Sequence, residues 1–115
     1  MKNLFLFSLA TILIFFKISL AHDLEDYVNK EHVEILVEAL KYSDAGMFEE
    51  ALIHAKIAQK EHPKDSNVYK LIALLYEALD KPKKAVQAWE KCLKYSKNNK
   101  IKQEAKNHIN ILTQE

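Results

Sequence analysis

Five histidines, one cysteine and sixteen carboxylates are the side chains here that could hold a metal, act as a nucleophile or move a proton. Their spacing argues against all three. His32, His54, His62 and His108 are scattered, and no two have metal-ligand spacing along a helix. Glu49 and Glu50 are adjacent, so on a helix they point apart; they suit the positive end of a helix dipole better than an acid–base pair. One glycine cannot build a phosphate-cradling loop, and one cysteine cannot attach a haem. Cys92 has no second thiol to pair with inside the chain and is expected as a small core residue. One exception stands at His22. Cleavage after Ala21 would leave its amine and imidazole together, a pair that chelates Cu(II). An oxidising copper site also needs a second histidine held beside that pair, and nothing in the sequence places one. The chain therefore reads as a non-enzyme with no cofactor.

Charge narrows the partners. All 17 basic residues are lysine. Arginine's fork is the better tool for phosphate, so nucleic acid is not expected as a partner. From Asp23 to Glu50 nine carboxylates face two lysines, a net of −7; from Lys81 to Lys106 nine lysines face two carboxylates, a net of +7. Glu77 with Lys81, Asp80 with Lys84 and Glu90 with Lys94 are four apart and read as weak helix-surface pairs. Each run is expected as a solvated helix face, while the overall polarity can steer partners or order copies head to tail.

The elements that must position these groups are helices. The spacing predicts helices over about 31–44, 47–61, 66–79, 82–95 and 100–113. Gly46 closes the first, Glu61-His62-Pro63 stops the second, and Asp65 or Ser66 caps the third. Asp80 is expected to cap the fourth ahead of Pro82, and Ser96 to Asn99 to form its last turn. In the fifth, Ile101, Ala105, Ile109 and Leu112 share one face. Leu24, Tyr27 and Val28 share another, and residues 23–30 read as an extension of the first helix.

Two stretches match when the chain is slid along itself by one fixed interval: Ile35 falls on Tyr69, Ala39 on Ala73, Tyr42 on Tyr76, Ala51 on Ala85, Ala58 on Cys92. A fixed period of about 34 residues marks stacked helix–turn–helix units. The pattern resembles the tetratricopeptide repeat (TPR) family. The unit 32–65 carries Ile35, Ala39, Tyr42, Gly46, Phe48, Ala51, Ala58 and Pro63 in that family's places. The unit 66–99 carries Tyr69, Ile72, Ala73, Tyr76, Ala85, Trp89 and Cys92. Asp80 replaces the turn glycine, Lys97 the terminal proline, Glu38 a usual leucine and Ala55 a usual aromatic. The resemblance implies an all-α fold over 32–115: antiparallel helix hairpins stacked as a short right-handed solenoid, with 100–113 as a capping helix.

It also implies a function. In TPR proteins the first helices of the units line a concave wall where partner peptides lie. Carried over, that wall is Val33, Leu36, Leu40 and Ser43 from the first unit and Asn67, Lys70, Leu74 and Glu77 from the second. The family's carboxylate clamp needs lysine and asparagine where this chain has Leu36 and Leu40, so that clamp is not expected. The first helix is apolar nearly all round and needs cover on both sides. The expected cover is an apolar partner segment in the groove; the alternative is self-cover, by residues 23–30 or by a homodimer.

Residues 1–21 read as a secretory signal: Lys2, an apolar run from Leu4 to Phe16, and small residues at Ser19 and Ala21. The alternative is an uncleaved membrane anchor over Leu4 to Leu20. The expectation is a periplasmic or secreted interaction module, an adaptor or chaperone-like assembly helper, with residues 22–31 ahead of the repeats. The alternative is a subunit of an envelope complex tethered to the inner membrane. Only that anchored form would bring a membrane into the partner set.

Overall fold

The computed structural model describes residues 30–114. The signal segment and residues 22–29 lie outside the described residues, as do the side chains of residues 30–35, Val33 and Ile35 among them. Every regular element described is an α-helix: α1 Lys30–Asp44, α2 Phe48–Glu61, α3 Ser66–Ala78, α4 Pro82–Tyr95 and α5 Asn99–Thr113. Loops of three or four residues join them, and each helix packs on the next in the chain. Such short connections hold neighbouring helices antiparallel.

The turns between α1 and α2 and between α3 and α4 are the same structure. Gly46 N–H donates to the Ser43 carbonyl at 2.9 Å and Met47 N–H to the Tyr42 carbonyl at 2.8 Å. Asp80 N–H donates to the Glu77 carbonyl at 3.0 Å and Lys81 N–H to the Tyr76 carbonyl at 2.8 Å. This pair of hydrogen bonds closes a helix through one left-handed residue and satisfies carbonyls the helix itself cannot. The left-handed residue is Gly46 (φ 76°) in one turn and Asp80 (φ 56°) in the other. Asp80 is therefore not the cap of α4. Lys81 stands at that position without a side-chain cap, and Pro82 begins the helix. With Asp80 committed to the preceding turn, its carboxylate has no backbone N–H to accept from at the α4 start.

Two other ends are capped by side chains. Asp65 accepts from Asn67 N–H at 2.9 Å at the start of α3. Asn98 accepts from Lys100 N–H at 2.9 Å and Ile101 N–H at 3.3 Å, opening α5. Residues 96–98 are thus a loop and cap, not a last turn of α4, which ends at Tyr95.

The core runs along α3. Val68, Tyr69, Lys70, Leu71, Ile72, Ala73, Leu75 and Tyr76 are buried, which covers most of that helix. Alanines make the close contacts around it: Ala39, Ala51, Ala55, Ala73, Ala85 and Ala105 are fully covered. Trp89 supplies the largest buried side chain. The helix expected to be apolar all round was α1, yet its Val37 is exposed; the helix with the most buried residues is α3.

The two turns predict opposite responses to substitution. A Cβ on Gly46 meets no atom within 4 Å, so Gly46→Ala costs only the left-handed backbone strain, about 1 kcal/mol in urea denaturation. Asp80→Gly relieves that strain and is expected to raise the melting temperature, by up to about 1 kcal/mol of stability.

Candidate partner-binding surfaces

The expected wall residues fall into distinct environments. Leu36 and Ser43 of α1 and Lys70 of α3 are almost fully buried; Leu40, Asn67, Leu74 and Glu77 are half-buried. Leu36, Leu40 and Leu74 all join the apolar core. Ser43 Oγ and Asn67 Oδ1 are buried with no hydrogen-bond partner.

Lys70 and Glu77 are tied to α5. Lys70 Nζ donates to Glu104 Oε2 at 2.8 Å, with Lys70 only 1% exposed. Glu77 accepts from Trp89 Nε1 at 2.8 Å and sits 2.9 Å from His108 Nδ1. A carboxylate only accepts, so Nδ1 is the protonated ring nitrogen of His108. The His108 ring also stacks on Trp89, with centroids 4.4 Å apart. Lys70 and Glu77 lie two helical turns apart on α3, and Glu104 and His108 one turn apart on α5. One ion pair and one hydrogen bond therefore fix both the position and the rotation of α5.

This use of Glu77 also explains why the expected surface pairs are absent among the described ion pairs. α3 ends at Ala78, so Lys81 does not share a helix with Glu77; α4 begins at Pro82, so Asp80 does not share one with Lys84. Lys94 lies over the Tyr95 ring instead of beside Glu90.

Cys92 is buried against this cluster, and Ala58, which the sequence match places opposite it in the first hairpin, is covered as well. Burial pushes the Cys92 thiol up to about 12; the charge of Lys70 opposes that, and Glu104 and Asp65 add to it. A thiol so held has no thiolate to react at neutral pH.

A second surface lies elsewhere. A groove of about 490 Å³ opens between α2 and α4, floored by Tyr69, Ile72 and Tyr76 of α3. Lys56 of α2 and Lys84, Lys91 and Lys94 of α4 line it. On α3 this floor is a different side from Lys70, Leu74 and Glu77, since one residue turns the helix by about 100°. By sequence, Lys84, Lys91 and Lys94 belong to the basic run expected as a solvated helix face. The available signal was a shared spacing of seven: Tyr69 and Tyr76 on one helix, Lys84 and Lys91 on the other.

Among the described residues, no group of three or more His, Cys, Asp or Glu side chains could hold a metal ion, and no helix is long and apolar enough to cross a membrane. Comparison with protein-family models, with curated proteins and with solved structures returns no match.

Two outcomes are expected from this site. Glu104→Leu alone should cost about 2 kcal/mol, because the buried Lys70 ammonium loses counter-charge, while Lys70→Met with Glu104→Leu should recover most of that loss in a double-mutant cycle. Cys92 should resist thiol reagents at pH 8 until urea unfolds the chain. Its raised value means that the folded thiol stays protonated while the unfolded one ionises, so its contribution to stability is complete below about pH 9 and is lost as pH rises toward 12. Alkaline unfolding of Cys92→Ala should lack that part of the pH dependence.

Proposed function

We propose that this chain is an exported helical module of TPR type that binds another protein and does no chemistry. The observation that carries this reading is the turn used twice. The hydrogen bonds Ser43–Gly46 and Tyr42–Met47 of the first turn reappear as Glu77–Asp80 and Tyr76–Lys81 in the second, each displaced by the same interval along the chain. Paired hairpins with a common turn support a stack of like units over 32–99, closed by α5 as a cap. Within that stack the wall from α1 and α3 is the binding surface for an apolar partner segment. Leu40 and Leu74 supply half-buried apolar contacts. Ser43 Oγ and Asn67 Oδ1 supply polar atoms that lack partners, each costing about 1–3 kcal/mol when left so. The Lys70–Glu104 and Glu77–His108 contacts occupy the other half of the wall, which favours an apolar segment lying toward α1.

The test is site-specific crosslinking in the native host followed by mass spectrometry. A photo-crosslinking residue at position 40 or 74 should capture one protein, and the same residue at the exposed Ile111 should not. The same spectra should place the mature N-terminus at His22. Equal capture at all three positions, or capture only of the chain itself, would overturn the groove. Leu36→Ser serves as the folding control, since loss of that core contact should cost about 3 kcal/mol.

A further inference from the structure

The groove between α2 and α4 gathers four ammonium groups around one carboxylate, Glu90. None of the four lies within 4.0 Å of a carboxylate among the described ion pairs. They lie over aromatic rings instead. Lys56 and Lys84 converge on one ring, each 5.7 Å from the centre of Tyr76. Lys91 lies 5.5 Å from the centre of Tyr69, and Lys94 lies 5.2 Å from that of Tyr95, which stacks on Tyr69. Two like charges brought to one ring from opposite walls repel each other, and an anion between them would remove that repulsion.

We infer that this groove binds a short, extended, acidic segment of a partner protein, with carboxylates at the lysine rim and an apolar side chain on the Tyr69–Tyr76 floor. The inference is independent of the TPR reading, because it rests on a different side of α3 and on no repeat. Lys84 and Lys94 are ten residues apart on α4, about 15 Å of helix. Four or five residues of extended chain cover that length at about 3.3 Å each. The described carboxylates of the protein's own acidic stretch do not suit the site. Glu38, Asp44, Glu49 and Glu50 sit on or beside helices, so their carboxylates are not carried on a short extended segment. Phosphate is the weaker match, since the chain has no arginine to grip it with two parallel bonds. Lysine's single ammonium suits separate carboxylates spaced along a peptide.

The test uses the purified full chain and a fluorescein-labelled six-residue peptide of alternating glutamate and leucine, followed by anisotropy at low salt. The peptide should bind, and its affinity should fall roughly tenfold or more between low and high salt. Lys84→Glu with Lys91→Glu should weaken it by roughly tenfold or more at an unchanged melting temperature, as both lysines are exposed. Lys97→Glu with Lys102→Glu, away from the groove, should retain binding. If the charge reversals do not fold, Lys84→Gln with Lys91→Gln replaces them. Equal binding of a glutamine–leucine peptide would overturn the proposal, as would binding untouched by either groove variant. Tight binding of inorganic polyphosphate without the peptide would make this a phosphate site. Salt-sensitive self-association of the unliganded chain, abolished by Lys84→Glu with Lys91→Glu, would make the occupant a second copy; each of these results overturns a partner's acidic segment.

Discussion

One helix is buried over most of its surface. α3 has eight buried residues among its thirteen, and the positions of the other four helices follow from what it needs. Its apolar residues require surface from α2 and α4, and its polar residues require partners that water cannot supply. An ammonium as deeply buried as that of Lys70 is unfavourable unless charge and hydrogen bonds compensate it. Glu104 supplies that compensation, and His108 gives a second hydrogen bond to the carboxylate of Glu77, already committed to the indole of Trp89. α5 is therefore held by more than its apolar stripe. The stripe of Ile101 and Ala105 gives it a face to bury, and these polar contacts select its rotation and register on α3.

Close approach of the helices rests on small side chains. Fully covered alanines on α1, α2, α3, α4 and α5 let backbones pack without voids, where an added methylene group would force neighbours off their rotamers. Trp89 is the exception in size. It fits because α5 brings an imidazole over one face of the ring, and because its N–H finds a carboxylate. At the equivalent place in the first hairpin stands Ala55, and there a Tyr42–His54 stack joins α1 to α2. The two hairpins share a turn and a spacing but fill their interiors differently.

The surfaces differ as sharply as the interiors. The wall formed by α1 and α3 is apolar toward α1 and ionic toward α5, so a docked segment would meet two chemistries along its length. The groove between α2 and α4 is cationic and aromatic. Its α4 lysines belong to the +7 stretch of the chain, and the −7 stretch carries the acids of α1 and the start of α2. Such separation orients an approaching partner through a field that extends about one Debye length, near 8 Å at physiological salt. Exposed Ile53 and Ile57 of the first hairpin match Gln87 and Lys91 of the second, so the face that is a polar groove wall on α4 is apolar on α2.

The helices and most of their ends were legible in the sequence because helix signals are local. Gly46, Pro63, Asp65 and Pro82 act within a few residues of where they stand, and the apolar phase of Ile101 to Leu112 is a property of one helix. The matching of the two turns was legible for the same reason, down to Asp80 in the glycine's place, although its role there went against its own propensity to cap. What could not be read were the relations between helices. The seven-residue spacings of Tyr69 with Tyr76 and Lys84 with Lys91 become a groove only when α3 and α4 face one another. Lys70 reads as a lysine of the open concave wall until α5 lies beside it. Side-chain type and periodicity determined which faces had to be buried; only the packed structure decided which charges were buried with them, because a charge's environment is set by neighbours distant in the chain.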